Sequence, residues 1–174
     1  MNLLSAPRLV HQGPVFAVER REYSDGSPDR APIVRDIVRH PGAVAVVAVT
    51  SEEHLVLVRN NRVAVDKWLW ELCAGKLEPG EDPRFAAARE LEEETGFSAA
   101  SIEPVGECFT SPGFADELMR VFVATELSPV PRRLERGERI EVHVIPRARV
   151  LEMIDSGEIR DGKSIAGILL WMRR

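Results

Sequence analysis

A continuous run of small and branched apolar residues from Ala43 to Val49, followed by Thr50, most constrains the fold of this 174-residue chain. No polar residue alternates with the apolar ones before Thr50, and this pattern predicts a β-strand that is buried on both faces. Strands and helices follow one another in mixed order along the rest of the chain. That order predicts an α/β protein in which helices cover both sides of one sheet.

The hydrophobic pattern and the turn residues predict further elements on either side of this run. Strands are expected at residues 14–23, 32–39, 55–59, 102–109, 118–125 and 140–144, with a short extended piece at 68–73. The first two strands are joined by a turn at residues 24–29. Helices are expected at 82–95, 146–156 and 163–172, and the last of them presents one apolar face, made of Ile165, Ile168, Leu169 and Met172.

Composition and charge exclude several classes of protein. The chain holds 23 basic and 28 acidic residues, and the net charge of −5 disfavours a general nucleic-acid binder, because such proteins neutralise phosphates with Lys and Arg. The apolar run is far shorter than the ~20 residues that span a bilayer, and the N-terminal residues lack the pattern of a secretory signal. Cys73 and Cys108 form no CxxC motif. We therefore expect a single-domain cytoplasmic protein with no nucleic-acid or membrane partner.

The acidic charge is concentrated between Gly75 and Phe97. That window holds seven acidic and three basic residues, so it carries four of the five net negative charges. Within it, Asp82 and Pro83 are typical of a helix start and Gly96 is typical of a helix end. The charge pattern indicates that something cationic binds along this helix.

Three glutamates, Glu90, Glu93 and Glu94, fall on one face of the predicted helix, in its last turns. They repel one another, and they lie where the helix macrodipole is already negative. A divalent cation bound among the carboxylates would explain this arrangement. Oxygen ligands combined with substrate phosphates are typical of Mg²⁺, for which Mn²⁺ can substitute. The alternative is an acidic helix face in contact with solvent.

The spacing of the whole window resembles the Nudix box at every fixed position. The matching residues are Gly75, Glu81, Arg89, Glu90, Leu91, Glu93, Glu94, Gly96 and Phe97. Resemblance to the Nudix hydrolases implies an α/β/α sandwich with a mixed sheet, here with an N-terminal antiparallel strand pair. It also implies Mg²⁺-dependent hydrolysis of a nucleoside diphosphate that is linked to a further group.

The same resemblance implies roles for individual residues. The metal would be held by the backbone carbonyl of Ala74 and by the carboxylates of Glu90, Glu93 and Glu94. Glu93 alternatively holds the attacking water. An internal ion pair between Glu81 and Arg89 would fix the loop against the helix.

A second stretch, Ser111 to Glu117, resembles a signature of the ADP-ribose pyrophosphatases because Pro112 lies at the family's distance from the acidic window. This likeness implies that Gly113 and Glu117 bind substrate and that Arg62 reaches the diphosphate. The alternative is a loop that is kinked by its proline and glycine and binds nothing.

Residues 1–40 are expected to form an arm of the same domain, and residues 41–174 the Nudix hydrolase domain proper. In relatives these N-terminal strands cross to a partner subunit, so the resemblance implies a homodimer with shared active sites. Phe16, Arg35 and Arg39 would then contribute to binding the adenine. Aromatic packing and ordinary strand charge explain these side chains equally well.

The residue that activates the attacking water is expected in the loop at residues 132–139. In ADP-ribose-cleaving relatives a glutamate from such a loop takes this part, and Glu138 best matches its position. Glu135 ranks second and Glu141, which belongs to the following strand, ranks third. If none of them acts as the base, Glu93 is the next candidate. The alternative is a charged loop in solvent.

The resemblance as a whole implies Mg²⁺-dependent hydrolysis of ADP-ribose, or of a related ADP-sugar, to AMP and a sugar phosphate. One alternative is hydrolysis of another nucleoside diphosphate sugar, such as GDP-mannose. Another is a domain that senses ADP-ribose without cleaving it, and a third is an interaction protein with an acidic helix. The presence of all three helix glutamates favours an enzyme.

Overall fold

The computed structural model describes residues 1–27, 29–134 and 137–174, which form two compact units. The smaller unit joins Met1–Gly42 to Phe109–Leu118. The larger unit joins Ala43–Cys108 to Met119–Arg174. Among the described residues, no helix has the length and apolar character needed to cross a membrane.

The smaller unit is built on an antiparallel sheet. Its strands are β1 (Asn2–Leu3), β2 (Arg8–Gln12), β3 (Ala17–Ser24) and β4 (Ile33–Arg39). Strand β3 pairs with β4 along one edge and with both β1 and β2 along the other. The expected antiparallel pair is therefore confirmed and carries two further strands. Sequence reasoning missed these two because every residue in them is exposed and no apolar alternation marks them.

The segment Phe109–Leu118 extends this sheet beside β4. The N–H of Val38 donates to the carbonyl of Phe114 at 2.8 Å, and the N–H of Asp116 donates to the carbonyl of Val38 at 3.1 Å. Ala115 and Val38 are thereby paired in parallel. The backbone of the Pro112 stretch is held by sheet hydrogen bonds rather than by turn geometry alone.

The larger unit contains a mixed sheet of seven strands. They are β5 (Ala43–Val49), β6 (His54–Arg62), β7 (Lys67–Glu71), β8 (Cys73–Lys76), β9 (Phe97–Phe109), β10 (Leu118–Pro129) and β11 (Ile140–Pro146). The order is β11-β6-β5-β10-β9, with β7 beside β6 and β8 beside β5. Strand β5 runs parallel to β10 and antiparallel to β6 and β8, and each of its residues is buried. The doubly buried strand is confirmed.

Helices cover both faces of this sheet. They are α1 (Pro83–Glu90), which continues as a π-helical turn at Leu91–Thr95, α2 (Arg147–Asp155) and α3 (Gly162–Met172). Val44 and Val46 of β5 pack in one core with Ala86, Ala87 and Leu91 of the α1 segment. The alternate β5 residues Ala45 and Val47 pack in a second core with α2 and α3. The α/β/α sandwich is confirmed.

Helix α3 lies closer to the sheet than its apolar pattern predicts. Its buried residues are Ser164, Gly167 and Ile168, whereas Leu169, a member of the predicted apolar face, is 44% exposed. The physical reason is Gly167, where an added Cβ would lie 2.8 Å from Leu72 Cδ1. The helix turns its small residues to the sheet, and its N-terminus contacts Glu71 at the end of β7 and the adjoining Leu72.

Candidate active site

The acidic helix starts and ends where the sequence predicts. The Asp82 side chain accepts a hydrogen bond from the N–H of Arg84 at 2.8 Å, Pro83 occupies the first turn, and Gly96 ends the helix at a φ of 75°. The difference is the last turn, Leu91–Thr95, which is π-helical. Turns of π-helix are rare in proteins as a whole, and those that do occur are often found at functional sites.

The Glu90 side chain of this helix lies against strand β8 at Gly75, in the space that a larger side chain there would occupy. A Cβ at Gly75 would lie 1.8 to 2.4 Å from the carboxylate atoms of Glu90. The N–H of Ala74 donates to Glu94 Oε2 at 3.1 Å. Glu90 and Glu94 therefore both contact strand β8, which also carries the predicted carbonyl ligand of Ala74. The contact with Glu90 explains why the motif has a glycine at position 75.

Arg89 anchors the loop that precedes the helix. Its Nε and Nη2 donate to the two carboxylate oxygens of Glu81 at 3.0 and 3.1 Å, and Nη2 also donates to the carbonyl of Lys76 at 3.3 Å. These bonds hold the pKa of Glu81 below its usual value. The expected ion pair is confirmed. Arg89 Nη1 also reaches Glu90 at 2.7 Å and Glu93 at 3.3 Å.

Glu94 is a buried carboxylate that makes no ion pair with any described residue. It is 4% exposed, and no basic side chain among the described residues lies within ion-pair distance of it. Burial raises its pKa to about 8, the charges of Glu90 and Glu138 add to the rise, and the Ala74 N–H and Arg62 oppose it. Burial also raises the pKa of Glu90, against the effect of Arg89. Several carboxylates are thus gathered here, and Arg89 pairs with Glu90 and Glu93 but not with Glu94.

The donors at this site fit a hard divalent cation. They are carboxylate and carbonyl oxygens, the ligands that Mg²⁺ and Mn²⁺ prefer, and burial raises the pKa of one of them, Glu94. In the described ranges, no three His, Cys, Asp or Glu side chains lie close enough together to hold an ion as they stand. Glu90 and Glu93 are instead hydrogen-bonded to Arg89.

The structure brings Glu138 to the acidic cluster. Glu138 is partly buried just before β11, and its charge contributes to the raised pKa of both Glu90 and Glu94. Glu141 is exposed on β11, where it faces Arg59 at 3.9 Å. Glu135 lies outside the described residues. Of the loop candidates, Glu138 alone is shown beside the helix glutamates, while its chemical role remains a prediction.

Arg62 is held by a glutamate that sequence reasoning had not singled out. Its Nε and Nη2 donate to the two oxygens of Glu71 at 2.9 and 2.6 Å, and Lys163 donates to the same carboxylate. Glu71 is 1% exposed. Glutamate is seldom fully buried unless it is paired, so a charged residue directly after Trp68, Leu69 and Trp70 was the available signal. Its partner Lys163 is distant in sequence, and no local pattern could have indicated it.

The remaining predicted substrate residues lie in the smaller unit. Arg39 donates to both Glu19 and Asp116, the latter at 2.7 Å, so two carboxylates already engage its guanidinium. Glu117 accepts a hydrogen bond from the Thr110 hydroxyl at 2.6 Å. A cleft of about 230 Å³ is lined by Arg35, Asp36, Ile37 and residues 112–116, which include Gly113. Phe16, 42% exposed, is not among its lining residues.

Comparison with known proteins assigns the family. The NUDIX domain model matches residues 39–166. The chain is 44% identical over 136 residues to an ADP-ribose pyrophosphatase of Bacillus subtilis, covering 77% of this chain and 74% of that protein. It is 36% identical over 163 residues to an ADP-ribose pyrophosphatase of Mycobacterium tuberculosis, covering 92% and 78%.

Two further similarities concern substrate and fold. A GDP-mannose pyrophosphatase of Salmonella typhimurium is 34% identical over 148 residues, covering 75% of this chain and 76% of that protein. A crystal structure described as an ADP compounds hydrolase superposes with a TM-score of 0.81 at 23% identity, covering 99% of this chain and 92% of the other. The complete motif, the sandwich around β5 and the domain match agree, and the chain belongs to the NUDIX domain family.

Proposed function

We propose that this protein hydrolyses the diphosphate bond of ADP-ribose, or of a related ADP-sugar, to AMP and a sugar phosphate. The observation that carries the proposal is the acidic cluster of Glu90, Glu94 and Glu138, in which the buried Glu94 has no ion-pair partner among the described residues. Relatives named ADP-ribose pyrophosphatase at 44% and 36% identity support the substrate. The complete set of helix glutamates supports catalysis rather than binding alone.

The proposed cofactor is Mg²⁺, for which Mn²⁺ can substitute. The carbonyl of Ala74 and the carboxylates of Glu90, Glu93 and Glu94 would hold it. When bound, the metal supplies charge neutralisation at the phosphate oxygens and lowers the pKa of the attacking water. Gly75 keeps Glu90 against the strand, and the Ala74 N–H fixes one oxygen of Glu94.

Two further side chains act on the substrate in this proposal. Arg62 Nη1 makes no hydrogen bond within the described part of the chain, and it would donate to a diphosphate oxygen. Glu138 would accept the proton of the attacking water as general base, a role that contributes typically about 10² to 10⁴-fold to a rate. Its position beside Glu90 and Glu94 supports this choice over Glu141.

The smaller unit would recognise the nucleoside. Gly113 lines the cleft of that unit, and Glu117 is held by the Thr110 hydroxyl, so both are in fixed positions for binding. The roles of Arg39 and Glu117 in binding substrate, the homodimer formed through residues 1–40, and the cytoplasmic location remain predictions. Light scattering would test the dimer, which should have twice the 19.4 kDa mass of the chain.

GDP-mannose is the second candidate substrate, and the Salmonella typhimurium relative supports it. A panel of ADP-ribose, GDP-mannose, dinucleotides and nucleoside triphosphates with Mg²⁺, with products identified chromatographically, separates the candidates. We expect kcat/KM for ADP-ribose to exceed that for GDP-mannose by about tenfold or more, a difference that a few substrate contacts can supply. The reverse ranking would assign GDP-mannose, and no cleavage of any compound would contradict the proposed activity.

A further inference from the structure

Four charged side chains of the larger unit form an ion-pair network around Glu71. Its Oε1 accepts from Arg62 Nε at 2.9 Å, and its Oε2 accepts from Arg62 Nη2 at 2.6 Å. Oε2 also accepts from Lys163 Nζ, which donates in turn to Asp161 Oδ2 at 2.8 Å. Two positive and two negative charges therefore compensate one another around a carboxylate that solvent does not reach.

The close docking of α3 brings Lys163 into this network. Asp161 caps the helix by accepting from the N–H of Ser164 at 3.0 Å, and the Ser164 hydroxyl accepts from the N–H of Leu72 at 2.8 Å. Gly167 lies one turn after Lys163 on the same helix face, and a Cβ there would lie 2.8 Å from Leu72 Cδ1. The helix approaches as closely as a glycine allows, and the lysine one turn earlier reaches the buried carboxylate.

Lys163 and Arg62 differ in what they can still bind. The Lys163 side chain is 12% exposed and its ammonium group already has two carboxylate partners, so it is not available to a substrate. The Arg62 side chain is 42% exposed, and among the described residues its Nη1 donates to nothing. Arg62 also acts electrostatically on Glu94, which places it near the acidic cluster.

We propose that Lys163 is a positioning residue for substrate binding. Together with Glu71 it holds the Arg62 guanidinium in one orientation, in which the Nε–Nη2 edge is used by Glu71 and Nη1 is left for a phosphate oxygen. This inference rests on the proposed function, because it takes the anion to be the diphosphate of the substrate. Without the lysine, Arg62 is the remaining cation on Glu71 among the described residues and also feels the charge of Asp161, and its hold on the anion weakens.

A double-mutant cycle tests this inference. The four proteins are wild type, Lys163→Met, Arg62→Ala and the double variant. Lys163→Met keeps the apolar stem of the lysine and removes its charge. Arg62→Ala removes the guanidinium through which Lys163 is proposed to act. For each, KM and kcat are measured with ADP-ribose and Mg²⁺. Calorimetry measures the affinity for an ADP-ribose analogue whose bridging diphosphate oxygen is replaced by methylene. Arg149→Met is the matched control, because that arginine also pairs with two carboxylates, on α2 and just after it.

We expect Lys163→Met to raise KM and to weaken analogue binding by about fivefold or more, with kcat changed by less than about threefold, the pattern of a lost uniform-binding contact. In the Arg62→Ala background, Lys163→Met should change KM and analogue affinity by less than about twofold, because the effects of coupled residues are not additive. Equal effects in both backgrounds, or unchanged affinity in Lys163→Met, would overturn the inference. Arg149→Met should leave KM unchanged.

A measurement without substrate keeps this inference separate from the proposed function. In wild type the Arg62 Nε–H is hydrogen-bonded to Glu71, so it should give a protected NMR signal. We expect that signal to shift and lose protection in Lys163→Met, and an unchanged signal would contradict the positioning role even if ADP-ribose is not the substrate. If Lys163→Met does not fold, Lys163→Gln, whose amide can still donate to Glu71, should show the same raised KM, and an unchanged KM would overturn the inference.

Discussion

Two glutamates of the larger unit, Glu71 and Glu94, are almost equally buried but differ in their surroundings. Glu71 is 1% exposed and Glu94 is 4% exposed. Burial raises the pKa of Glu71, yet the hydrogen bonds of Arg62 and the charge of Lys163 outweigh it and hold that pKa below its usual value. Glu94 has a backbone N–H as its hydrogen-bond donor, and its pKa is raised to about 8.

The difference indicates that the two buried carboxylates have different roles. A buried charge is costly unless it is paired, and the fold supplies the pair for Glu71 from β6 and α3. For Glu94 it supplies further carboxylates instead, Glu90 and Glu138. In the first arrangement the charges are paired among the described residues, whereas the second gathers charge that a bound cation would compensate.

Glu94→Gln should have the largest effect on activity. We expect kcat with Mg²⁺ and ADP-ribose to fall by about 10²-fold or more, because the several kcal/mol of transition-state stabilisation from a bound metal would be lost. The free energy of unfolding without metal should be unchanged or higher, since a neutral amide is cheaper to bury. Steady-state kinetics and urea unfolding measure the two quantities, and turnover near that of wild type would contradict the metal assignment.

Glu138→Gln should lower kcat by about 10²-fold with little change in KM, as expected for the loss of a general base. Glu135→Gln is the matched control from the same loop and should cost less than about tenfold. The two kcat values decide between the candidates. Reversed effects would assign the base to Glu135, and less than tenfold loss in both would move it to Glu93.

Glu71→Gln should lower the free energy of unfolding, whereas Glu94→Gln should leave it unchanged or raise it. Removing one partner of a buried ion-pair network leaves Arg62 and Lys163 without their common carboxylate, at a cost of about 3 kcal/mol in the free energy of unfolding. Urea unfolding of the two variants side by side tests the comparison. If Glu94→Gln proved the less stable of the two, the distinction between a compensated and an uncompensated glutamate would fail.

The two glutamates should also give opposite dependences of stability on pH. For Glu94 the pKa is higher in the folded protein, so without metal the unfolding free energy should fall as pH rises from 4.5 to about 8, by at most about 1.4 kcal/mol per pH unit. For Glu71 the folded pKa is lower, so its contribution is present above pH 4.5 and is lost as pH falls below it. Glu94→Gln should flatten the first slope and Glu71→Gln the second, measured by thermal unfolding in metal-free buffer.

The sequence predicted the parts of the site that lie close together along the chain. The helix cap at Asp82 and the stop at Gly96 were identified from local spacing, and the ion pair between Glu81 and Arg89 was implied by the resemblance of the same window to the Nudix box. The doubly buried strand β5 was also predicted correctly, because a short, continuous apolar run is typical of a strand that is buried on both faces.

The parts that the sequence did not reveal depend on contacts between distant segments. Lys163 donates a hydrogen bond to Glu71, and Gly167 on the same helix allows α3 to lie close to Leu72. No local sequence pattern predicts this close packing. The exposure of Leu169 follows from the same docking. The strands β1 and β2 escaped notice because all of their residues are exposed, so they carry no hydrophobic period.

Thermal unfolding with and without Mg²⁺ tests most directly the claim that a cation compensates the cluster around Glu94. At pH 7.5 a ligand that binds the folded state raises Tm, so Mg²⁺ should raise the Tm of wild type and of Glu71→Gln by similar amounts. The shift should be largely absent in Glu94→Gln. An equal Mg²⁺ shift in Glu94→Gln and wild type, or no shift in wild type, would contradict the account.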